Sequence, residues 1–329
     1  MAEHAIPVDL HNPGQVFACL GFLEAADVLL GDAEGGFDWS DMSQAQFRLT
    51  AKGDENPFGA VLAFLAETEI RRFGPIGYSD PPPKKGKKRG EEDDDDEGEE
   101  DNQDEADEGG AGLSGLEFTE TFLAKAGDRM TLPIRLGGGN RPLIELGHWA
   151  DESGRESFKL YSGNRSADMI ARAMLKGVRK KPSKSQKRHG QAGDAKTKGI
   201  AQLWEEARAL LIKEPFDVLT PMGGSFNFDP RGAWTAIDAG YSPNDQKHQV
   251  AASPVVEFLA AWGLEHARPV VSDDRQVRYA AWGVPLSPCL ARVALIGAIP
   301  ALPMHRFRFL LDSSGKNKIV TFAEREIQS

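Results

Sequence analysis

From Ser79 to Gly112 the chain runs through three prolines, the basic cluster KKGKKRG, a run of acids and a glycine-rich close, with no branched aliphatic or aromatic side chain. Such a composition has no apolar burial to set against the entropy of ordering. Residues 79–112 are therefore predicted to form a disordered, basic-then-acidic linker. The core must then be built from an N-terminal segment, residues 1–78, and a main body, residues 113–329. The acids of this stretch also account for the overall charge. Residues 91–108 hold 14 carboxylates, the whole chain has a net charge of −11, and removing residues 84–108 leaves 34 basic against 36 acidic residues. The remainder is nearly balanced, so local charge patterns carry more information than the net value.

Asn12-Pro13 and Asn56-Pro57 read as helix starts, because asparagine caps free amides and proline suits the first helical position. Val16, Leu20, Leu23 and Leu30 follow the first pair, and Val61, Leu62, Leu65 and Ile70 the second, each at helical spacing. Between them Phe47–Thr50 alternates as a strand. Beyond the linker, Met130–Leu136, Leu143–Trp149 and Ser157–Tyr161 are apolar runs separated by turn compositions, which predicts an antiparallel sheet. Helices are predicted from Ser166 to about Val178, over Gly199–Lys213 and over Val255–Trp262. Strands are predicted at Arg278–Trp282, Arg306–Leu311 and Ile319–Phe322. The fold class is α+β, antiparallel sheets with packed helices, interrupted by two disordered charged inserts.

The second insert is basic. Residues 176–198 contain nine Lys or Arg, one acid (Asp194) and no aromatic residue. Such a segment suits phosphate contact. Lys176, Arg179, Lys180, Lys181, Lys184, Lys187, Arg188, Lys196 and Lys198 are the expected contacts, on a mobile loop spanning residues 178–198. Just upstream, Asn164, Arg165 and Ser166 stand at a predicted helix N-terminus, where free amides and the helix dipole favour an anion. Arg172 and Lys176, four apart on that helix, extend the positive surface. Without an aromatic the loop cannot stack bases, so it is expected to contact backbone charge and not sequence.

Residues 223–245 (GGSFNFDPRGAWTAIDAGYSPND) combine turn-forming Gly and Pro with Phe226, Phe228, Trp234 and Tyr241 as apolar anchors, leaving Ser225, Asn227, Arg231 and Asn244 to present polar groups. Asn227 and Arg231 are the candidate base readers, since Asn and Arg match adenine and guanine edges bidentately. Asp229, Asp238, Asp245 and His248 could hold a divalent metal for phosphodiester cleavage, although their spacing fits no metal motif. Gly137-Gly-Gly-Asn140 lacks the Lys-Ser/Thr of a phosphate-binding loop, no Gly-x-Ser-x-Gly elbow occurs, and Cys19 and Cys289 have no evident activating partner. No catalytic residue, metal or cofactor is expected. With two cysteines, no basic-then-apolar leader and no run of about 18 apolar residues, the expected location is the cytoplasm, without membrane contact.

The block IPVDLHNPGQVFACLGFLEAAD (6–27), with GSFNFDPRG (224–232) and DAGY (238–241), resembles the compact large-subunit proteins of type I-G (formerly I-U) CRISPR effector complexes. The resemblance runs over most of the chain outside the charged inserts. It implies a non-enzymatic subunit of a Cascade-like antiviral complex that assembles on guide RNA with backbone and RNA-processing subunits. Its implied tasks are recognising the protospacer-adjacent motif in target DNA, holding displaced DNA and docking a helicase-nuclease in trans. Many type I large subunits end in a helical bundle, whereas this chain ends in predicted strands. Two other readings remain: a metal-dependent phosphodiesterase using the acids of 229–248, and an acidic nucleic-acid mimic or histone-like chaperone resting on residues 91–108.

Overall fold

A computed structural model describes residues 3–75, 117–119, 134–137, 142–147, 160, 167–179, 195–222, 224–232, 251–314 and 317–326. Among these are six helices: α1 (Pro13–Leu30), α2 (Pro57–Glu67), α3 (Ala167–Lys176), α4 (Ile200–Lys213), α5 (Pro254–His266) and α6 (Pro288–Leu295). Four begin with proline in the first turn after an Asn or Ser cap. Asn12 accepts from the Gln15 amide, Asn56 from those of Phe58 and Gly59, and Ser253 from that of Val256. Proline has no amide to leave unsatisfied there, and the cap oxygen takes one that is free.

The strands are β1 (Glu3–Pro7), β2 (Glu34–Asp38), β3 (Gln46–Thr50), β4 (Ile70–Pro75), β5 (Glu117–Thr119), β6 (Ile134–Leu136), β7 (Ile144–Leu146), β8 (Val178–Arg179), β9 (Ala195–Thr197), β10 (Thr220–Pro221), β11 (Ala251–Ala252), β12 (Gln276–Trp282), β13 (Met304–Ser314), β14 (Asn317–Val320) and β15 (Glu324–Arg325). One sheet runs β1-β3-β2, another β12-β13-β14 with β15 also on β13, and a third β5-β4-β6-β7. Two short ladders, β8/β9 and β10/β11, complete the set. All pairings are antiparallel except β4/β5. The α+β class is as expected from the patterning.

Helix α1 departs from its sequence reading. Instead of one apolar stripe, every residue from Pro13 to Ala26 is buried, so α1 is a central helix wrapped on all sides. Its length and composition match a membrane span, but 78% of that apolar window is covered by the rest of the fold. The charge it carries inward, Glu24, meets Arg292 of α6 through two bonds of 2.6 and 2.7 Å. A bidentate partner of this kind is what makes a buried carboxylate tolerable.

Helix α5 lies against α1 so closely that side chains are excluded at the crossing. A β-carbon on Gly21 would fall 2.1 Å from the Leu259 carbonyl oxygen, and one on Gly263 2.2 Å from that of Phe17. The C-terminal sheet is stitched to the N-terminal residues by the Tyr279 hydroxyl donating to Leu10 O in the turn before α1 (2.6 Å) and by Trp282 Nε1 donating to Gly35 O of β2 (2.7 Å). Residues 3–75 and 251–326 thus share one core. The described residues of the N-terminal segment and of the body beyond the linker are therefore packed against each other. The stretch 79–112 lies outside the described residues, but its flanks pair with each other: Phe73 of β4 stands opposite Glu117 of β5.

Of the three predicted central runs, 134–136 and 144–146 pair as foreseen; Ser157–Tyr161 is described only at Leu160, which is not in a strand. Helix α6 and strands β1, β2, β4, β5, β8–β11 and β15 are additional to the predicted elements, and Ile70, expected on the second helix, belongs to β4 because α2 ends at Glu67.

The crossing of α1 and α5 makes an opposite-sign prediction for two kinds of Gly→Ala change. Alanine favours a helix by about 1 kcal/mol over glycine, yet overpacking a close contact costs about 1–3 kcal/mol or more. Gly21→Ala and Gly263→Ala should lower the urea midpoint at constant m value. Gly59→Ala in α2, where the nearest atom to a new β-carbon is 3.6 Å away, should leave it unchanged or raise it.

Candidate nucleic-acid interface

The segment 224–232 is held by its acid. Asp229 is completely buried, and its carboxylate accepts from Asn12 Nδ2 (3.1 Å), Arg231 Nε (2.9 Å), Arg231 Nη2 (2.8 Å) and the Ser253 amide (3.1 Å). The residue that caps α1 and the residue that caps α5 both converge on it. Gly14 lets the segment approach: a β-carbon there would lie 2.4 Å from the Phe228 carbonyl oxygen. Phe226 and Phe228 are buried, as expected of apolar anchors. On the far side, Asn227 Nδ2 donates to Lys318 O of β14 at 3.3 Å. Asn227 has a φ of 66°, a left-handed conformation that asparagine tolerates better than most residues.

Below this knot sits Glu257 of α5, fully buried, with Oε1 accepting from the Asp229 amide at 2.8 Å. Burial pushes its carboxyl up to about 8; the backbone amide of Asp229 pulls the other way, and the Asp229 carboxylate adds to the rise. A neutral acid is the cheaper form here, since a second buried negative charge beside Asp229 would meet no cation of its own.

The basic segment springs from a pinched stem. Helix α3 ends at Lys176, and Gly177, with a φ of 76°, turns the chain into β8. Strand β9 returns antiparallel and leads through Gly199 into α4. The two glycines touch: a β-carbon on Gly199 would lie 2.2 Å from the Gly177 nitrogen. The neighbouring ladder, β10/β11, is tied to this stem by the Lys198 amide donating to Thr220 Oγ1 at 2.8 Å. Residues 180–194 lie between β8 and β9 in the chain, and residues 222–250 between β10 and β11. The two segments singled out by composition therefore begin and end at adjoining ladders.

Several predicted site residues take other roles. Lys176 Nζ donates to Ala66 O at 2.8 Å, capping the last turn of α2. Half-buried, it has its pKa lowered chiefly by desolvation. Lys198 pairs with Glu206 at 2.5 Å on the surface, and Arg172 and Arg179 are each engaged within the fold. Arg231, expected to reach base edges, has its guanidinium spent on Asp229 and on Phe216 O at 2.7 Å. Asn227 is likewise occupied, with Oδ1 accepting from Ser225 Oγ at 2.7 Å and Nδ2 bonded to β14. Both candidate base readers are structural because burial of Asp229 demands a cation and the left-handed turn demands a pinned side chain.

Asp229 is withdrawn in the same way from the four residues considered for metal binding, its oxygens filled by protein donors. Among the described residues no cluster of three His, Cys, Asp or Glu is placed to hold a metal. Lys196 is described in its backbone only. Asn164, Arg165, Ser166, Lys180, Lys181, Lys184, Lys187 and Arg188 lie outside the described residues, as do Trp234, Asp238, Tyr241, Asn244, Asp245 and His248.

Compared with protein-family models, curated proteins and solved structures, the chain matches none.

Two stability measurements follow from the Asp229 knot. Arg231→Ala leaves a buried carboxylate without its cation and should cost about 3–5 kcal/mol in urea unfolding. Glu257 holds its proton to about pH 8 when folded, against an ordinary value of 4.5. The unfolded chain therefore binds fewer protons between those values, and stability should fall as pH rises from about 5 to 8, by up to a few kcal/mol. Glu257→Gln keeps the oxygen acceptor and should flatten that slope; an equal slope in both proteins would place the titration elsewhere.

Proposed function

We propose that this chain is a non-catalytic, nucleic-acid-binding subunit of an RNA-guided surveillance complex of the type I-G CRISPR class, acting in the cytoplasm. Its task in this reading is to hold DNA through phosphate contacts while base pairing to a guide RNA reads the target sequence, a division of labour known for RNA-guided effectors. Partners would be guide RNA, target DNA, the backbone and RNA-processing subunits, and a helicase-nuclease recruited in trans.

One observation carries the reading: the residues flanking the basic stretch 180–194 pair as β8 and β9, and this ladder is tied through the Lys198 amide and Thr220 to the β10/β11 ladder, whose strands flank residues 222–250 in the chain. A supporting observation is that two of the three sequence blocks bearing the family resemblance, 6–27 and 224–232, meet in space through Asn12 and Asp229 at 3.1 Å. Shared motifs that fasten one another preserve a scaffold, which suits a recognition subunit better than an active site. Motif reading would fall to polar residues outside the fastened stretch 224–232, with Asn164 and Arg165 as the next candidates.

The test is salt-dependent binding of DNA. Replacing Lys180, Lys181, Lys184, Lys187 and Arg188 with Ala should weaken binding across sequences. If the segment engages about three to five phosphates, the log–log salt slope should fall by roughly 3 to 4, at about 0.9 per phosphate. With Mg²⁺ or Mn²⁺ present, labelled DNA should stay intact. An unchanged slope would make the segment solvated surface, and metal-dependent cutting would replace this reading with a phosphodiesterase.

A further inference from the structure

Residues 284–302 (VPLSPCLARVALIGAIPAL) contain one charge, Arg292, and that side chain is spent on Glu24. The stretch includes α6, whose Ala291, Ala294 and Leu295 are buried while Cys289, Leu290, Val293 and the capping Ile296 are exposed. At about 100° per residue, the four exposed positions fall within an arc of about 120°. Among the described residues ten large apolar side chains are exposed, and five of them gather here: Leu290, Val293, Ile296, Val270 and Leu310. Val270, 84% exposed, and Ile296 line a surface cavity of about 460 Å³ together with Arg268, Gln276 and Arg278. Leu310 stands directly opposite Gln276 in the β12/β13 register, hence on the same sheet face. A contiguous apolar surface of this kind marks an interaction site, whereas scattered exposed side chains do not.

The sheet face beside this stripe states the charge of what would cover it. Arg278 of β12 and Arg308 of β13 are directly opposite one another, a like-charge pair that is unfavourable on its own. Glu326 accepts from Arg278 Nε at 2.7 Å and Glu324 from Arg308 Nη2 at 3.1 Å, which leaves further N–H groups on both guanidiniums. Arg306, two residues along the same face, reaches Gly297 O only at 3.5 Å, and its Nε is buried without an acceptor. A carboxylate brought to this face therefore finds donors on three arginines. A phosphate chain suits it less. Charged at every step, it would also meet Glu324, Glu326 and the cavity residue Asp274, and it would gain nothing from the apolar stripe.

We propose that α6 and the adjoining outer face of β12 and β13 dock a segment of another protein, whose apolar side chain enters the cavity beside Val270 and Ile296 while a flanking Asp or Glu is received between Arg278 and Arg308. An apolar centre bordered by arginine is a common composition of protein–protein interfaces. None of these residues is assigned to nucleic acid, so the proposal goes beyond the reading above and can fail without it.

Random peptides displayed on phage would be selected on the immobilised full chain and, in parallel, on a Val293→Asp/Ile296→Asp variant. Peptides selected by the wild type alone should pair Leu, Ile, Val or Phe with neighbouring Asp or Glu. A synthetic peptide of that consensus should bind the double variant at least about tenfold more weakly. Reversing charge with Arg278→Glu/Arg308→Glu should turn the preference toward Lys and Arg. Cys289 is exposed and Cys19 buried, so a bulky maleimide would label the stripe alone. It should block the same peptide on the otherwise unaltered protein, which separates loss of the surface from loss of the fold. Peptide pools that are the same for the wild type and the α6 variant, or a charge preference that survives the Arg→Glu reversal, would overturn the proposal. So would a wild-type dimer in sedimentation velocity that Val293→Asp/Ile296→Asp dissociates, since a second copy would then cover the face. Displacement of the peptide by a single-stranded DNA oligonucleotide would overturn it in favour of nucleic acid.

Discussion

Asp229 sits out of reach of water with Asn12, Arg231 and Ser253 all donating to its carboxylate, and the placement of neighbouring elements follows from filling those oxygens. A buried carboxylate is costly unless every lone pair finds a donor. Asn12 can reach it only while capping α1, and the Ser253 amide only at the start of α5, so satisfying one side chain fixes the relative position of two helices. Their close approach at Gly21 and Gly263 then becomes possible, and the sheets close over the pair through Tyr279 and Trp282. Arg231 completes the neutralisation and binds the carbonyl of Phe216, extending the same knot toward the residues that precede β10.

The fold also draws several charged side chains into its interior. Lys176 stands in the basic run but ends in the last turn of α2, where free carbonyls attract a cation. Glu24 and Arg292 join α1 to α6 in the interior, and Arg72 faces the buried Asp168 at 3.9 Å. Beyond the Gly177–Gly199 neck the balance changes, since residues 180–194 hold five Lys or Arg and one acid. Glycine at both crossing points lets two backbones meet where side chains would force them apart. The basic stretch can therefore be inserted between α3 and α4 without parting those helices.

Much of the architecture was legible in short signals. An Asn or Ser followed by Pro opens four helices, and Asn12-Pro13 and Asn56-Pro57 located α1 and α2 to within a residue, because capping depends only on neighbouring backbone amides. Ser287-Pro288 opens α6 with the same residue pair, although the Ser287 side chain makes no cap bond. Alternating apolar residues located β3, β12 and β13. Strand β2 carries Gly35 and Gly36 instead of that alternation; a β-carbon on Gly36 would lie 2.4 Å from the Val284 carbonyl oxygen, a demand arising from a residue far along the chain.

The sequence by itself determined the class of fold, most helix starts and the two concentrations of charge, since each depends on residues within a few positions of one another. Tertiary structure alone decided what the prominent polar residues do. Asn227 and Arg231 look free in a Gly-rich stretch; they are occupied because β14 and the buried Asp229 reach them from elsewhere in the fold. Strands β4 and β5 pair across the 79–112 stretch, a contact that composition does not announce. Burial and proximity are properties of contacts between distant residues, and local composition carries no record of them.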